Sequence, residues 1–367
     1  MLWCAVCLMA GIAVGLHFPL PYYLPVLVAA VIACTLLRKT RHWHDILTLL
    51  VWFLIGCSRA GMDCRQQTTN NKSWTSDNGF QSVRTALIAR LKKSGVSQKT
   101  LALCSALVVG EKSGLDYETK ESYRKVGAAH LLALSGTHIG IIYGFLYLIF
   151  IGWVHHSKWR WHALPLILLC LWGYALVAGM PVSLVRATLM LSIFTILSLM
   201  QYETDHMHVL ALSAVIILLI APEDLFSISF QLSFAAVFFL LALWGPIRDM
   251  YEGIPSIVKL LATSCVAFLG IMPLIAYYFH RVSLVGPFLS VILIPLTTII
   301  IYLTLAAMLF PVAPLGWLLN VVVALQERIL EFAGSIPFAI TDIYPNLAVI
   351  VLMYGAMVIA IVRLRTR

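Results

Sequence analysis

Charge is what this sequence has least of. Its 367 residues include 25 Lys and Arg and 16 Asp and Glu, 11% in all, less than half the share in an ordinary soluble domain, which is about 25%. With 61% hydrophobic residues and a mean hydropathy of +0.93, a soluble globular domain is excluded and a polytopic membrane protein remains. Nothing matches G-x-x-x-x-G-K-[ST]: Gly110-Glu111-Lys112-Ser113 lacks the glycine before its lysine, so no nucleotide-driven motor is expected. Metal sites are wanting too. His42-Trp43-His44-Asp45 and Asp205-His206-Met207-His208 are short of ligands, and Cys4-x-x-Cys7 has no second half, so neither metal nor other cofactor is expected. The eight cysteines fall mostly in apolar runs and read as small buried hydrophobes.

What is present is a succession of apolar runs near the length that crosses a bilayer, about 20 residues. They centre on 2–18, 21–37, 45–60, 129–152, 163–180, 183–200, 207–221, 228–247, 256–279, 284–310, 314–334 and 345–362. The fold class expected is therefore all-α: a helical membrane bundle of about twelve spans, some broken or re-entrant, with Pro287 and Pro295 interrupting the 284–310 run. The first run has no preceding Lys or Arg and reads as a retained span rather than a signal peptide. Arg38, Lys39 and Arg41, then Lys158 and Arg160, then Arg363, Arg365 and Arg367 fall on one side of twelve spans. Both termini are then cytoplasmic, and residues 62–128 face outward.

Three regions follow: a three-span segment 1–61, a linker with a basic amphipathic helix over 62–100, and a long apolar domain over 101–367. Between residues 62 and 128 there are eleven Lys or Arg and six Asp or Glu. That excess suits a polyanion arriving from outside, although a solvated basic face is the commoner explanation of such a run. From Phe80 to Lys93, apolar Val83, Leu87, Ile88 and Leu91 interleave with Arg84, Arg90, Lys92 and Lys93, the pattern of a helix lying on the outer leaflet. Leu101–Val109 is apolar but too short to cross, and is expected to dip into the bundle or pack beneath the loop.

Polar residues inside apolar runs are the candidate functional groups, because in lipid they must be satisfied or used. The segment HLLALSGTHIGIIYG, read as one helix from His130, puts His130, Ser135 and His138 on one side. Gly136, Gly140 and Gly144 then form a GxxxGxxxG packing ridge on the other. Both histidines could equally be neutral and satisfied by neighbouring helices. Arg186 in PVSLVRATLM either snorkels to the interface or holds a phosphate with its guanidinium fork. In SISFQLSF, Ser229 and Ser233 share one helix face and Gln231 lies on the other, with Phe230 and Phe234 at the border. Such groups can line a path for sugar, phosphate or stacked bases, or bond between helices. Ser135 and His138 are close enough to touch but lack a third group and an oxyanion donor, so an enzyme is not expected.

Four motifs in order, GAAHLLALSGTHIGIIYG, GMPVSLVRATLM, PEDLFSISFQLSFAAV and GIMPLIAYYFHRVSLVGPFLSVILIPL, resemble the competence domain of the ComEC/Rec2 family across roughly Leu101 to Pro311. Ser290 stands where the family usually has Asn, and Thr137 where Leu is common. The resemblance implies an inner-membrane channel that admits one strand of transforming DNA. It implies single-stranded DNA and membrane lipid as partners, with a separate cytoplasmic translocase, nuclease and DNA-binding proteins. Family members typically carry an OB-fold and often a metallo-β-lactamase-like domain; Met62 to Asn78 is too short for the first, and the chain stops at Arg367. The path implied is lined by His130, Ser135, Gly136, His138, Arg186, Ser229, Gln231 and Ser233, with capture by Arg84, Arg90, Lys92 and Lys93. A proton-coupled transporter of a small solute, relaying through His130 and His138, is the alternative; the scarcity of Asp and Glu inside the apolar runs counts against it.

Overall fold

The computed structural model describes residues 2–17, 48–57, 80–132, 134–150, 160–200, 205–250, 256–336 and 340–365. The run at 21–37, the fragment at His42–Asp45, the linker at 62–78 and the loop cations Arg38, Lys39, Arg41 and Lys158 lie outside them. Among the described residues the fold is helical: α1 (Leu2–His17), α2 (Thr48–Cys57), α3 (Gln81–Lys93), α4 (Gln98–Val108), α5 (Tyr117–Lys125), α6 (Gly136–Phe150), α7 (Arg160–Val177), α8 (Val182–Leu199), α9 (His206–Ile220), α10 (Ile228–Met250), α11 (Ser256–Phe279), α12 (Gly286–Leu309), α13 (Ala313–Gly334) and α14 (Leu347–Arg365). One antiparallel pair, β1 (Arg281–Ser283) and β2 (Ile340–Asp342), sets Arg281 opposite Asp342 and Val282 opposite Thr341.

Among the described residues four helices are long and apolar enough to cross a membrane: α8, α12, α13 and the Val258–Phe279 part of α11. Seven shorter apolar helices accompany them among the described residues, and the expected count of twelve crossings is not confirmed by helix length. Two expectations about helix continuity change. The 284–310 run is not broken by its prolines: Pro287 sits in the first turn of α12, where no intrahelical N–H is needed, and the helix continues through Pro295. The run at 129–152, in contrast, is not one helix, because Ala129–Leu131 forms a 3₁₀ turn and α6 starts only at Gly136.

The chain divides into two compact units, Met1–Trp74 with Leu189–Phe234, and Thr75–Thr188 with Ala235–Arg367. In the first, Ala5, Leu8 and Ile12 of α1 pack with Ala211, Ala214, Val215 and Leu218 of α9 and with Phe230. α1 and α2 approach backbone to backbone, since a methyl at Gly11 would overlap the Phe53 carbonyl and one at Gly56 the Leu8 carbonyl. In the second unit, α12 packs between α11 and α13, and Phe239 stacks on Tyr354 while the Tyr354 hydroxyl donates to the Gly270 carbonyl at 3.1 Å.

The polar stretch before α6 does not form a layer apart from these helices. α3 packs against α4, α7 and α12, with Leu91 fully buried, and seven of the eleven residues of α4 are buried, as a segment that dips into the bundle requires. Gly316, in the first turn of α13, has no room for a methyl against the Ser94 carbonyl, and Asn320 accepts from Ser97 N–H at 2.9 Å. At the other end of α13, Gly334 lies against Val126 and Lys125. Eighteen residues of helix separate Gly316 from Gly334, about 27 Å, so residues 94–126 run along most of its length.

Candidate functional site

Ser135 is the N-cap of α6, and His138 occupies the third helical position. The Ser135 N–H donates to His138 Nδ1 at 3.3 Å, the Ser135 hydroxyl lies 3.0 Å from the same nitrogen, and His138 N–H donates to the Ser135 carbonyl at 3.1 Å. This is the side-chain-to-N-cap half of a capping box, with imidazole in the place of the usual Glu or Gln, and it explains why the helix begins here rather than at His130. Because Nδ1 receives an N–H that has no alternative role, the ring is the neutral Nε2–H tautomer. His138 is 1% exposed, and its Nε2 is buried without a hydrogen-bond partner in the protein.

The first turns of α8 close on this cap. The Ser183 hydroxyl donates to the Leu134 carbonyl at 2.6 Å, and Ala187 Cβ lies 3.4 Å from where a Gly136 side chain would begin. Between them, Arg186 is the largest fully buried side chain described, 1% exposed. A guanidinium so placed demands polar or ionic surroundings, which rules out the snorkelling reading. Further along the same helix Thr188, Ser192 and Thr195 are buried at i, i+4 and i+7, a polar stripe whose helical period within an apolar run is its only sequence signal.

Several expected placements change. His130 is not on the helix with His138; it is exposed in the 3₁₀ turn, its Nδ1 3.2 Å from the Gly127 carbonyl. The three glycines do not form one continuous ridge. Gly136 meets Ala187 and Gly144 meets the Tyr302 hydroxyl at 3.5 Å, but Gly140 faces open space. Tyr302 instead anchors α6 on α12 by donating to the Ile141 carbonyl at 3.1 Å and packing its ring on Phe145.

Of the basic residues, Arg84 is half-buried and committed. Its Nε donates to the Val177 carbonyl at 2.5 Å, at the end of α7, and its Nη2 fills the space beside Gly179. α7 ends there in a Schellman turn, with Met180 N–H bonded to the Ala175 carbonyl, Gly179 N–H to Leu176, and Gly179 at φ +85°. Arg84 also contributes to the acidity of Glu111, whose carboxyl is held below its ordinary range chiefly by the Ser113 hydroxyl and N–H. Arg90, Lys92 and Lys93 remain exposed in the last turn of α3, with Arg90 on an open groove of about 280 Å³ shared with Ser82, Val83, Ala86 and Leu87.

Ser229, Gln231 and Ser233 belong to the other unit, at the start of α10. Ser229 is exposed and the other two are half-buried; Gln231 Nε2 donates to the Leu225 carbonyl at 3.1 Å, and Ser227 closes the turn through Asp224 and Phe230. Phe230 and Phe234 stack at 4.2 Å, but Phe230 is buried in that unit's core and Phe234 packs against it. They are core residues, not a platform for bases.

A second buried polar knot was not anticipated. Gln326 of α13 donates from Nε2 to the Tyr123 hydroxyl at 3.0 Å and to Thr297 Oγ1 at 3.2 Å, joining α5, α12 and α13; all three side chains are at most 2% exposed. A glutamine in the middle of an apolar run was the available signal. Among the described residues no group of three metal-ligating side chains occurs, and Cys4, Cys7, Cys57, Cys104, Cys170 and Cys265 are free thiols.

A family model described as "Competence protein" matches residues 107–367. The chain is 32% identical over 196 residues to ComE operon protein 3 of Bacillus subtilis, covering 53% of this chain and 24% of that one. It is 29% identical over 285 residues to an uncharacterized protein of Aquifex aeolicus, covering 75% and 65%. With Recombination protein 2 of Haemophilus influenzae it shares 29% over 167 residues, 44% and 21% of the two chains. The matched region thus spans about a quarter of the Bacillus protein and a fifth of the Haemophilus one. No solved structure matches.

Proposed function

The chain belongs to the competence protein family, and from that premise we propose that it is an inner-membrane component of DNA uptake that passes single-stranded DNA into the cytoplasm. The observation that carries this reading is the junction of α6 and α8. There a fully buried Arg186 stands on the helix that closes the Ser135 cap, and the buried Nε2–H of His138 has no partner in the protein. A guanidinium and a fixed N–H are donors without acceptor character, the chemistry that receives phosphate oxygens one at a time. Transit needs contacts of this kind to be few and individually weak, because tight binding would stall the strand.

In this reading Arg90, Lys92 and Lys93 provide salt-dependent attraction, and Ser229, Gln231 and Ser233 contribute neutral contacts where α10 begins. The loop cations favour twelve spans with both termini cytoplasmic. Pulling force comes from outside the chain, from a cytoplasmic translocase or from proteins that trap the emerging strand, while a separate nuclease removes the other strand. The solute-transporter reading loses support, because proton relay through His138 would have to displace the Ser135 N–H from Nδ1.

The test is entry of labelled DNA into the cytoplasm of a deletion strain. Deletion should abolish entry while leaving DNA bound at the cell surface, and the wild-type chain should restore it. Entry undiminished by the deletion overturns the proposal.

A further inference from the structure

At the junction of α11 and α12 the sequence Tyr277-Tyr278-Phe279-His280-Arg281 ends a membrane-length helix and enters β1. His280 has φ +57°, a conformation a non-glycine residue adopts only when its surroundings enforce it. Three contacts do so: its carbonyl accepts from Ile343 N–H at 3.0 Å, its Nδ1 donates to the Ala276 carbonyl at 3.2 Å, and its ring stacks on Tyr344 with centroids 4.9 Å apart and planes at 30°. The strained turn thus fixes the direction of the imidazole and leaves Nε2 as its remaining polar atom. Tyr344 is 76% exposed, so one face of its ring lies on His280 and the other is bare.

Beside this stack Arg281 pairs with Asp342 at 3.3 Å, with both side chains about three-fifths exposed. An ion pair so open to solvent contributes little, so Arg281 can exchange its carboxylate for another anion at little cost. Ser283, two residues on, donates to the Val126 carbonyl and fills the space next to Gly127, which brings the end of α5 and the exposed Lys125 and His130 to the same end of the unit.

We propose that the Tyr344–His280 stack, with Arg281 beside it, is a binding platform for single-stranded DNA, on which one base stacks against the bare face of Tyr344 while Arg281 takes the adjoining phosphate. It rests on the DNA-uptake reading and assigns that reading a contact point outside the buried α6–α8 junction. Base stacking on an aromatic ring is sequence-tolerant and contributes on the order of 1–3 kcal/mol per base, the recognition that a strand of arbitrary sequence requires.

The experiment uses the full chain in lipid nanodiscs and a fluorescent oligodeoxythymidylate, with anisotropy read over a range of salt. Tyr344→Ala should weaken binding about 5- to 150-fold without changing the salt slope, Tyr344→Trp should bind as the wild type does, and an abasic oligonucleotide should not distinguish Tyr344→Ala from wild type. Arg281→Gln should lower the magnitude of the salt slope by about 0.7, the value of one phosphate contact on a single strand. Elution as a single species with unchanged helicity shows that each variant is folded. If the wild-type chain binds and Tyr344→Ala binds equally well, the ring is an interfacial membrane anchor and this proposal fails alone. If the wild-type chain binds no oligonucleotide, the platform and the DNA-uptake reading fail together.

Discussion

Replacing His138 separates what the imidazole does for the helix from the part the proposed function gives it in DNA entry. In His138→Ala, the Ser135 N–H loses its acceptor at Nδ1 and the cap of α6 is reduced to backbone contacts. Loss of an N-cap interaction costs about 1 kcal/mol, and a backbone donor left without a partner about 1–3 kcal/mol. These are two descriptions of one event, so about 1–2 kcal/mol is the expected loss, with some addition for the emptied volume of a ring that is 1% exposed. His138→Gln behaves differently. A Gln carbonyl at the third helical position is the ordinary partner in a capping box, so most of the lost stability should return, while the aromatic N–H donor does not. Unfolding of the purified protein by SDS in mixed micelles measures the first quantity, and cytoplasmic entry of labelled DNA the second. The expected pattern is a stable His138→Gln protein with impaired entry. A His138→Gln protein as unstable as His138→Ala would refute the capping-box argument, and a His138→Gln protein with full uptake would remove the imidazole from the transport path.

The glycines give a matched pair: Gly316→Ala drives a methyl into the Ser94 carbonyl and should destabilise the protein by several kcal/mol in the same unfolding assay, whereas Gly140→Ala meets nothing within 4 Å and should be neutral or slightly stabilising. At the start of α5, Asp116 accepts from Thr119 N–H at 3.1 Å, and its carboxyl lies below the ordinary value of 3.8 chiefly through its hydrogen bond to Thr119. Since the folded value is depressed, its contribution is complete above the unfolded value and is lost as pH falls through the folded one. Amide exchange in Tyr117–Lys125, compared at pH 6 and pH 3 after correction for intrinsic rates, should accelerate at the lower pH in the wild type and much less in Asp116→Ala.

Helix positions were largely legible in the sequence because apolar runs near bilayer length have few alternatives; the starts and ends of α8, α11, α12 and α13 fall within two residues of the runs that announced them. Residue type alone does not fix local bonding. His130 and His138 look like one helical face until the Ser135 cap is recognised, and S-x-x-H is not a pattern that announces a cap. Phe230 and Phe234 look like a stacking surface from their spacing, yet burial makes them core. Arg84 reads as one cation among several on a surface helix, and only the tertiary approach of Val177 reveals it as a clamp on the end of α7. The Gln326–Tyr123–Thr297 knot joins residues as many as 203 positions apart, a distance over which pattern reading within one sequence has no purchase.

That separation bears on how the protein is made. Helices α4 and α5 leave the ribosome early, but Ser97 awaits Asn320, 223 residues later, and Tyr123 awaits Gln326. At elongation rates of about 5–20 residues per second, the nascent segment spends roughly 10–45 seconds with its polar partners unsynthesised and the apolar face of α4 uncovered. Biogenesis therefore needs something to hold residues 94–126 in the interim, an insertase or the already inserted α6–α8, until α12 and α13 arrive to enclose them. A chain whose synthesis halts before α13 leaves α4 and α5 without the helix they lie along, and quality control would meet it as an orphaned hairpin rather than as a shortened helical bundle.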